Sequence, residues 1–298
     1  MKDYIDINER SINQNITQAI EKNRKLNLEF RLVKLYSVRT GICAEDCGFC
    51  GQSRLVEKEY KIIKPFSSMS DIYLAIENAK KNSANEILFV SSGRSIGNKS
   101  ELKKLAKGIA KARKENLEVG LDTGLMSYDS LSYLFDEGAQ IYIGAIQTAK
   151  SFFNEIIHSY NYEDKVKVLE NAKRIGYHTR SGGILGLGET EKQRYEFTLE
   201  LDTLPCDSIG LSLFQPMKGT KMQNRQRIDS KEALESLALI RNHTDKPLYL
   251  LGGREKVIAE EEMGAALQLI NGVTVGDYLF TKGEGIEKIA RYIHQSPN

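Results

Sequence analysis

The stretch LVKLYSVRTGICAEDCGFCGQS, residues 32–53, joins a strand-like apolar run to three cysteines, Cys43, Cys47 and Cys50. These cysteines have the spacing C-x3-C-x2-C, and the chain has one further cysteine, Cys206. Iron–sulfur clusters are held by cysteine thiolates. A [4Fe–4S] cluster held by three thiolates leaves one iron free for another ligand, so the spacing indicates a reactive cluster.

Two other interpretations of the cysteines stay open on spacing alone. A structural zinc site takes four ligands, but the next candidates, His158, His178 and Cys206, lie far along the chain. A disulfide scaffold is typical of small secreted domains, whereas this chain has 298 residues and begins without an apolar export signal. We therefore expect a reducing compartment, and we expect Cys206 to be a core residue.

The composition predicts a folded protein with an ordinary core. Hydrophobic residues make up 41% of the chain and charged residues 28%. The formal net charge of +2 is too near neutral to indicate a nucleic-acid partner. No apolar run approaches the roughly 20 residues that span a bilayer, so we expect no membrane partner and a cytoplasmic location.

Strand-like and helix-like segments alternate along the chain after a helical N-terminal segment. The strand-like segments are 32–38, 86–91, 117–122, 139–145, 178–186, 208–214, 247–252 and 267–275. Eight such units imply parallel strands joined by right-handed crossovers, and a (β/α)8 barrel is their economical closure. An open doubly wound sheet is the alternative. We predict an α/β fold with an N-terminal helical extension over 1–29 and a (β/α)8 TIM-type barrel domain over 30–298.

The cysteine motif follows the first predicted strand, which is where a barrel of this kind places its active site. With Phe49 directly before the last cysteine, the motif resembles the signature of radical S-adenosylmethionine (SAM) enzymes. The resemblance implies that Cys43, Cys47 and Cys50 hold a [4Fe–4S] cluster whose open iron binds the methionine part of SAM. It further implies that Phe49 lies against the adenine and that one electron cleaves SAM to a 5'-deoxyadenosyl radical. A reduced flavodoxin- or ferredoxin-type protein is the implied electron donor.

Three further segments match positions that contact SAM in this family. The turn SSGRSIGN after the second strand matches the loop at the methionine amino group, and the pair Gln147 and Thr148 matches residues near the ribose. The segment SGGILGLGET, residues 181–190, resembles the strand under the adenine. A turn-capping role for Gln147 and Thr148 and a helix-capping role for Glu189 stay open. The expected cofactor-binding residues are Phe49, Ser91, Ser92, Gly93, Arg94, Gln147, Thr148, Gly183 and Glu189.

Two arginines are candidates for substrate binding. If strand alternation turns Arg180 and Arg254 into the barrel, their buried charges need anionic partners. A small anionic substrate could supply one. A salt bridge to Asp122, Glu189 or another strand-end carboxylate is the alternative.

The resemblance is closest to the branch that contains biotin synthase, hydrogenase cofactor maturases and methylornithine synthase. Biotin synthase draws sulfur from a second cluster held by three more cysteines and an arginine. The corresponding positions here are Ser91, a residue near Leu121 or Asp122, and Arg180, with only Arg254 retained. We therefore expect a radical SAM enzyme that inserts no sulfur and acts in maturation of the guanylylpyridinol-type hydrogenase cofactor. The alternatives are an amino-acid mutase akin to methylornithine synthase, biotin synthase, and an iron–sulfur carrier or redox sensor.

Overall fold

Eight parallel strands form the centre of the molecule in the computed structural model, which describes residues 9–279 and 282–295. The strands are β1 (Arg31–Arg39), β2 (Glu86–Ser91), β3 (Glu118–Asp122), β4 (Ile141–Ile143), β5 (His178–Leu185), β6 (Ser208–Leu213), β7 (Leu248–Leu250) and β8 (Gly272–Thr274). They close into one barrel in chain order, with β8 paired to β1. The predicted (β/α)8 fold is confirmed, and the open sheet is excluded.

Helices connect the strands around the outside of the barrel. They are α1 (Glu9–Leu26), α2 (Met69–Lys81), α3 (Lys99–Lys114), α4 (Tyr128–Asp136), α5 (Lys150–Ile156), α6 (Tyr162–Ile175), α7 (Glu191–Thr203), α8 (Ser230–His243), α9 (Arg254–Val257), α10 (Met263–Gln268) and α11 (Ile286–Gln295). Short 3-10 helices cover Lys58–Tyr60 and Glu260–Glu262. Across the described ranges, none of the helices has the length and apolar character needed to cross a membrane.

The two faces of each strand pack against different layers because successive side chains point to opposite sides. Larger apolar clusters lie between the strands and the surrounding helices. A small apolar layer fills the barrel interior and is formed by Val33, Leu88, Val90, Ile141, Ile143 and Tyr249.

Strand β3 shows which of its residues face this interior. Val119 and Leu121 belong to the outer cluster, so Gly120 and Asp122 face inward. Asp122 pairs in register with the inward-facing Val90 of β2. Asp122 therefore lies inside the barrel at its carboxyl end, the end at which such barrels carry their chemistry.

Three elements differ from the sequence predictions. The strand predicted over 267–275 is limited to Gly272–Thr274, because Leu267 is buried on α10 together with Met263 and Ala266. The sequence EKVIAEEEMGAAL, residues 255–267, has a helical pattern, but extended backbone at Ile258 divides it into two helices. Helix α5 was not predicted, since its seven residues are too few to show a clear helical period.

Helix α1 packs at the amino end of the barrel, away from the cysteine motif. The Asn23 side chain donates hydrogen bonds to the carbonyl oxygens of Gln268 and Ile270, at 2.9 and 3.2 Å, next to the start of β8. Arg241 of α8 donates to the Asn23 side chain at 3.0 Å. The predicted domain division at residue 29 falls between α1 and β1 and stays a prediction, and residues 1–8 lie outside the described ranges.

Candidate active site

The three cysteines lie in the long connection between β1 and α2, which we call the cysteine loop (residues 40–53). This loop follows the carboxyl end of β1. All three thiols are half-buried. The structure therefore brings the motif to the end of the barrel at which (β/α)8 enzymes carry their active sites.

Each cysteine sulfur has a hydrogen-bond partner from the protein. The backbone N–H of Glu45 donates to Cys43 Sγ, and that of Gln52 donates to Cys50 Sγ, both at 3.4 Å. The Tyr160 hydroxyl lies 3.6 Å from Cys47 Sγ. Hydrogen bonds to the sulfurs stabilise thiolate ligands and tune the clusters that they hold.

Without a bound metal, burial disfavours the thiolate form of Cys47 and Cys50. Burial raises the pKa of Cys47 to about 11, and burial raises the pKa of Cys50 to about 12. Both thiols are thus neutral near pH 7 when no metal is bound. A bound metal deprotonates a coordinating thiol outright, so these sulfurs are suited to metal binding and poorly suited to free nucleophilic chemistry.

Asp46 fixes the cysteine loop to the loop before α6. Its Oδ1 accepts hydrogen bonds from the backbone N–H groups of His158 and Ser159, at 2.9 and 3.0 Å. Its own backbone N–H donates to Ser159 Oγ at 3.1 Å. Burial alone would raise the pKa of Asp46, but these hydrogen bonds lower it overall. The carboxylate therefore stays charged and positions Cys47 beside Tyr160.

The donor set fits a cluster better than a single metal ion. Among the described residues, no three His, Cys, Asp or Glu side chains converge as ligands of one ion would. Each iron of a cubane, by contrast, takes a single thiolate, so three spaced thiols with their own hydrogen-bond donors suit it. Phe49, between the second and third cysteines, is half-buried against the core.

The turn after β2 packs directly on the cysteine loop. The Ser92 hydroxyl accepts a hydrogen bond from the backbone N–H of Ile42 at 3.2 Å, and the Ser91 hydroxyl donates to the Ser92 carbonyl oxygen at 3.0 Å. The Arg39 guanidinium donates to the same carbonyl oxygen at 2.6 Å and fills the space beside Gly93. The predicted SAM loop thus lies beside the cysteines, as expected from its position on the barrel.

Arg94 lies on the same turn and already has carboxylate neighbours. Its Nη1 donates to Glu45 Oε1 at 3.3 Å and to the Ser159 carbonyl oxygen at 3.1 Å. Asp164 lies 3.9 Å from Nη2. Glu45 Oε2 is buried without a hydrogen-bond partner in the described residues. A ligand bound here would contact the Arg94 guanidinium and the Glu45 carboxylate, one of whose oxygens has no hydrogen-bond partner in the described residues.

Gln147 and Gly183 are held together by their backbones. Gln147 has a positive φ of 74°, and its carbonyl oxygen accepts a hydrogen bond from the Ile184 N–H at 2.8 Å. A Cβ at Gly183 would lie 2.1 Å from that carbonyl oxygen. The close approach at Gly183 is therefore made by the neighbouring chain segment. Thr148 follows Gln147 and is buried.

Glu189 does not cap the helix that follows it. The cap of α7 is Thr190, in a capping box with Gln193. Glu189 Oε1 instead accepts hydrogen bonds from the Gly186 N–H at 2.8 Å and from Arg194 Nε at 3.2 Å. Its Oε2 is buried with no partner in the described residues. An orphaned carboxylate oxygen of this kind can accept a hydrogen bond from a bound ligand.

Arg180, which is predicted to bind substrate, has an anionic partner within the protein. Arg180 is fully buried and donates to both carboxylate oxygens of Glu86, at 3.1 and 2.8 Å. Glu86 is the first residue of β2, at the amino end of the barrel. Burial alone would lower the pKa of Arg180, but the charge and hydrogen bonds of Glu86 raise it overall. Its anionic partner is thus part of the protein.

Arg254, which is also predicted to bind substrate, likewise lies beside carboxylates of the protein. Its guanidinium is fully buried, donates to the Tyr278 hydroxyl at 2.7 Å and to the Thr274 carbonyl oxygen at 2.9 Å. Glu255 lies 3.1 Å from Nη2, and Glu284 lies 3.6 Å from Nε. Two carboxylates of the protein therefore balance this charge.

Two polar groups that face the site were not predicted as site residues: Lys165 was missed, and Asp122 was considered only as a salt-bridge partner of the arginines. The Lys165 side chain on α6 is buried, and its Nζ lies 5.3 Å from the centroid of the Tyr160 ring. Asp122 faces the barrel interior, where burial raises its pKa and the charge of Lys165 lowers it in part. Neither side chain forms a hydrogen bond or ion pair within the described ranges. The helical pattern of α6 gave no signal that Lys165 points inward. Cys206 lies apart from this site, buried in the core as expected.

Comparison with known families agrees with this geometry. The family model described as the Radical SAM superfamily matches residues 37–201. The chain belongs to this superfamily. A second model, the Biotin and Thiamin Synthesis associated domain, matches residues 211–296 of this radical SAM protein. Radical SAM enzymes use a [4Fe–4S] cluster together with SAM, and the chain is a biotin synthase-like member of the superfamily.

Curated relatives of this radical SAM enzyme include biotin synthases. The biotin synthase of Methanococcus vannielii is 32% identical over 321 aligned positions, and the alignment covers 98% of this chain and 95% of the relative. That of Carboxydothermus hydrogenoformans is 32% identical over 260 residues, covering 86% and 79%.

Solved structures with the same fold come from other members of the superfamily. Methylornithine synthase PylB superposes with a TM-score of 0.81 at 14% identity, over 97% of this chain and 88% of that one. The FeFe-hydrogenase maturase HydG from Carboxydothermus hydrogenoformans gives 0.78 at 14% identity, over 97% and 72%. At these identities the likeness concerns the fold.

Proposed function

We propose that this radical SAM enzyme abstracts hydrogen from, or rearranges, a small substrate in the barrel without inserting sulfur. One observation carries the proposal: Arg180, at a position that corresponds to a second-cluster cysteine of biotin synthase, is locked to Glu86 in a buried ion pair. The other two positions are matched to Ser91 and to a residue near Leu121 or Asp122, and none of these three side chains offers a thiolate. Iron–sulfur ligation uses thiolates, so the interior of this barrel is poorly equipped for a second cluster.

Cys43, Cys47 and Cys50 are the proposed ligands of the [4Fe–4S] cluster. When bound with SAM, the cluster supplies the electron that generates a 5'-deoxyadenosyl radical. The backbone N–H groups of Glu45 and Gln52 orient two of the sulfurs.

The proposed SAM-binding residues lie on the cysteine loop itself and towards or after the carboxyl ends of β2, β4 and β5. They are Phe49, Ser91, Ser92, Gly93, Arg94, Gln147, Thr148, Gly183 and Glu189. Support comes from two buried oxygens that have no hydrogen-bond partner among residues 9–279 and 282–295, Glu45 Oε2 and Glu189 Oε2. They flank this region and can accept hydrogen bonds from a ligand.

We propose that Asp122 and Lys165 bind the substrate through their charges. Arg180 and Arg254 are already paired with carboxylates of the protein. Asp122 and Lys165 face the site and form no ion pair with each other or with any other described residue. Lys165 can hold an anionic group of the substrate, and Asp122 can accept hydrogen bonds from an amine or hydroxyl. The substrate we propose is therefore small, anionic and equipped with a hydrogen-bond donor.

Maturation of the guanylylpyridinol-type hydrogenase cofactor is the pathway that we propose for this reaction. An amino-acid mutase activity akin to methylornithine synthase is the second candidate. It is favoured by the opposite charges of Asp122 and Lys165, which match the amino and carboxylate groups of an amino acid. Biotin synthesis is a third candidate, favoured by the names of the curated relatives.

Metal and sulfide analysis of anaerobically reconstituted protein tests the absence of sulfur insertion. We expect about four iron and about four sulfide per chain, as one cubane requires, and no biotin from dethiobiotin. About six iron per chain together with biotin formation would contradict the proposal. Asp122→Asn and Lys165→Met should each lower conversion of the true substrate at least tenfold while SAM still binds, which separates substrate binding from cofactor binding.

A further inference from the structure

A strongly basic surface adjoins the cysteine loop. Residues 54–64 and 217–227 together contain eight Lys or Arg and two Glu, a formal charge of +6, whereas the whole chain carries +2. The remaining residues therefore sum to −4, although helix α3 (Lys99–Lys114) is a second basic segment, with seven Lys or Arg and one Glu. The segments 54–64 and 217–227 thus concentrate positive charge, as α3 does. Such a concentration produces a local field that steers charged partners.

The two segments are one surface because they contact each other. The backbone N–H of Glu57 donates to the Gly219 carbonyl oxygen at 3.2 Å. Lys218 Nζ lies 4.7 Å from the centroid of the Tyr60 ring. We name this region the basic surface, and its cationic residues are Arg54, Lys58, Lys61, Lys64, Lys218, Lys221, Arg225 and Arg227.

The basic surface begins directly at the cysteines. A Cβ at Gly48, between Cys47 and Cys50, would lie 3.8 Å from Lys221 Cβ. On the other side, Thr40 and Lys64 exchange backbone hydrogen bonds of 3.0 Å at the start of the cysteine loop. A protein that docks on the basic surface would therefore lie next to the three thiols.

The charges of this surface are available to a partner. Lys58, Lys64 and Lys221 are exposed and form no ion pair within the described ranges. Two large apolar side chains lie exposed among them, Ile62 at 47% and Ile63 at 61%. Exposed apolar groups rimmed by charge are typical of protein docking sites.

We propose that the basic surface docks an acidic one-electron carrier protein that reduces the cluster held by the cysteine loop. This inference rests on the proposed function. A single-stranded nucleic acid fits less well, because it would stack on exposed aromatic rings and the ring of Tyr60 is covered by Lys218. In the redox step, one electron leaves the reduced carrier and enters the cluster, and no atom is transferred. The carrier is thereby oxidised by one electron.

Charge reversal on the basic surface, compared with an equal reversal elsewhere, tests the docking site. The test variant combines Lys58→Glu, Lys64→Glu, Lys218→Glu and Lys221→Glu. The control variant combines Lys99→Glu, Lys103→Glu, Lys107→Glu and Lys114→Glu, four exposed lysines of α3. Both variants change the net charge by the same amount, so a difference between them reports on location alone.

Two readouts are taken with reduced flavodoxin as the acidic probe: its Kd for the reconstituted protein and the rate of 5'-deoxyadenosine release. In the test variant we expect the Kd for flavodoxin to rise at least tenfold and the flavodoxin-driven rate of release to fall at least tenfold. Both differences should become smaller at high salt. Release driven by dithionite should be unchanged, and the control variant should match the unsubstituted protein throughout.

Equal flavodoxin affinity in the test and control variants would overturn the docking site. So would a test variant that loses affinity for single-stranded RNA but keeps its flavodoxin affinity. Failure of dithionite to drive SAM cleavage in the unsubstituted protein would count against the proposed function, and the Kd comparison would still decide the docking site.

Discussion

Arg180 and Glu86 form a bidentate ion pair inside the barrel, with Nη1–Oε1 and Nη2–Oε2 distances of 3.1 and 2.8 Å. Neither side chain has any exposed surface. The Arg180 guanidinium also stacks on Tyr249, with its Cζ 3.8 Å from the ring centroid. The pair fills the lumen on the amino side of the site, so the space left for a substrate lies between it and the cysteine loop.

Glu86→Gln should destabilise the protein by about 3–5 kcal/mol, because it leaves a buried guanidinium without a counter-charge. The free energy of unfolding in urea measures this loss. The double variant Glu86→Leu/Arg180→Met should recover most of it, since an apolar pair of similar volume removes both charges together. A double variant as unstable as Glu86→Gln would show that the charges are not the cause.

Cys43→Ala, Cys47→Ala and Cys50→Ala should each prevent stable binding of a four-iron cluster. Iron content and the visible absorption of the reconstituted protein measure this. Cys206→Ala is the matched control: Cys206 is buried in the core, so its loss should cost roughly 1 kcal/mol of stability and leave iron binding unchanged. Full iron loading of any of the first three variants would contradict the assigned ligands.

Gly183→Ala should destabilise the fold by about 3 kcal/mol or more, because its Cβ would meet the backbone of Gln147. The distance to the Gln147 carbonyl oxygen would be 2.1 Å. Gly97→Ala is the control, since no atom lies within 4 Å of a Cβ at that position. Thermal unfolding of both variants measures the difference, and equal Tm values would show that the close approach is relieved elsewhere.

Glu200→Gln should change the pH dependence of stability. Burial raises the pKa of Glu200 to about 7, above the ordinary value of 4.5. Folding thus favours the protonated carboxyl, so this group stabilises the fold most below pH 4.5 and its contribution is lost as the pH rises to about 7. The variant, which is neutral throughout, should gain Tm relative to the unsubstituted protein between pH 5 and pH 8.

The exposed Glu170 supplies the comparison for this pH effect. The difference in Tm between Glu170→Gln and the unsubstituted protein should stay constant between pH 5 and pH 8. A constant difference for Glu200→Gln as well would contradict the raised pKa.

Much of the fold could be predicted because local signals agreed with it. The alternation of strand-like and helix-like segments predicted all eight strands, and β2 begins and ends where the sequence pattern placed it. The strand predicted over 267–275 was too long because Leu267, with its apolar neighbours, suits a buried helix as well as a strand. Helix α5 was missed because seven residues are too few for a clear helical period.

The site was predictable where the residues are contiguous and unpredictable where distant segments meet. The cysteines, Phe49 and the turn after β2 come from short motifs that the barrel brings together. Glu86 and Arg180 are 94 positions apart, and no local pattern shows that one neutralises the other. The inward direction of Lys165 likewise depends on how α6 packs, which its own sequence does not determine.

Radical chemistry at the cysteine loop is tested most directly by SAM cleavage in anaerobically reconstituted protein reduced with dithionite. We predict release of 5'-deoxyadenosine by the unsubstituted protein and by Cys206→Ala, and no release by Cys43→Ala, Cys47→Ala or Cys50→Ala. Protein that carries about four iron per chain and still leaves SAM intact would contradict the account.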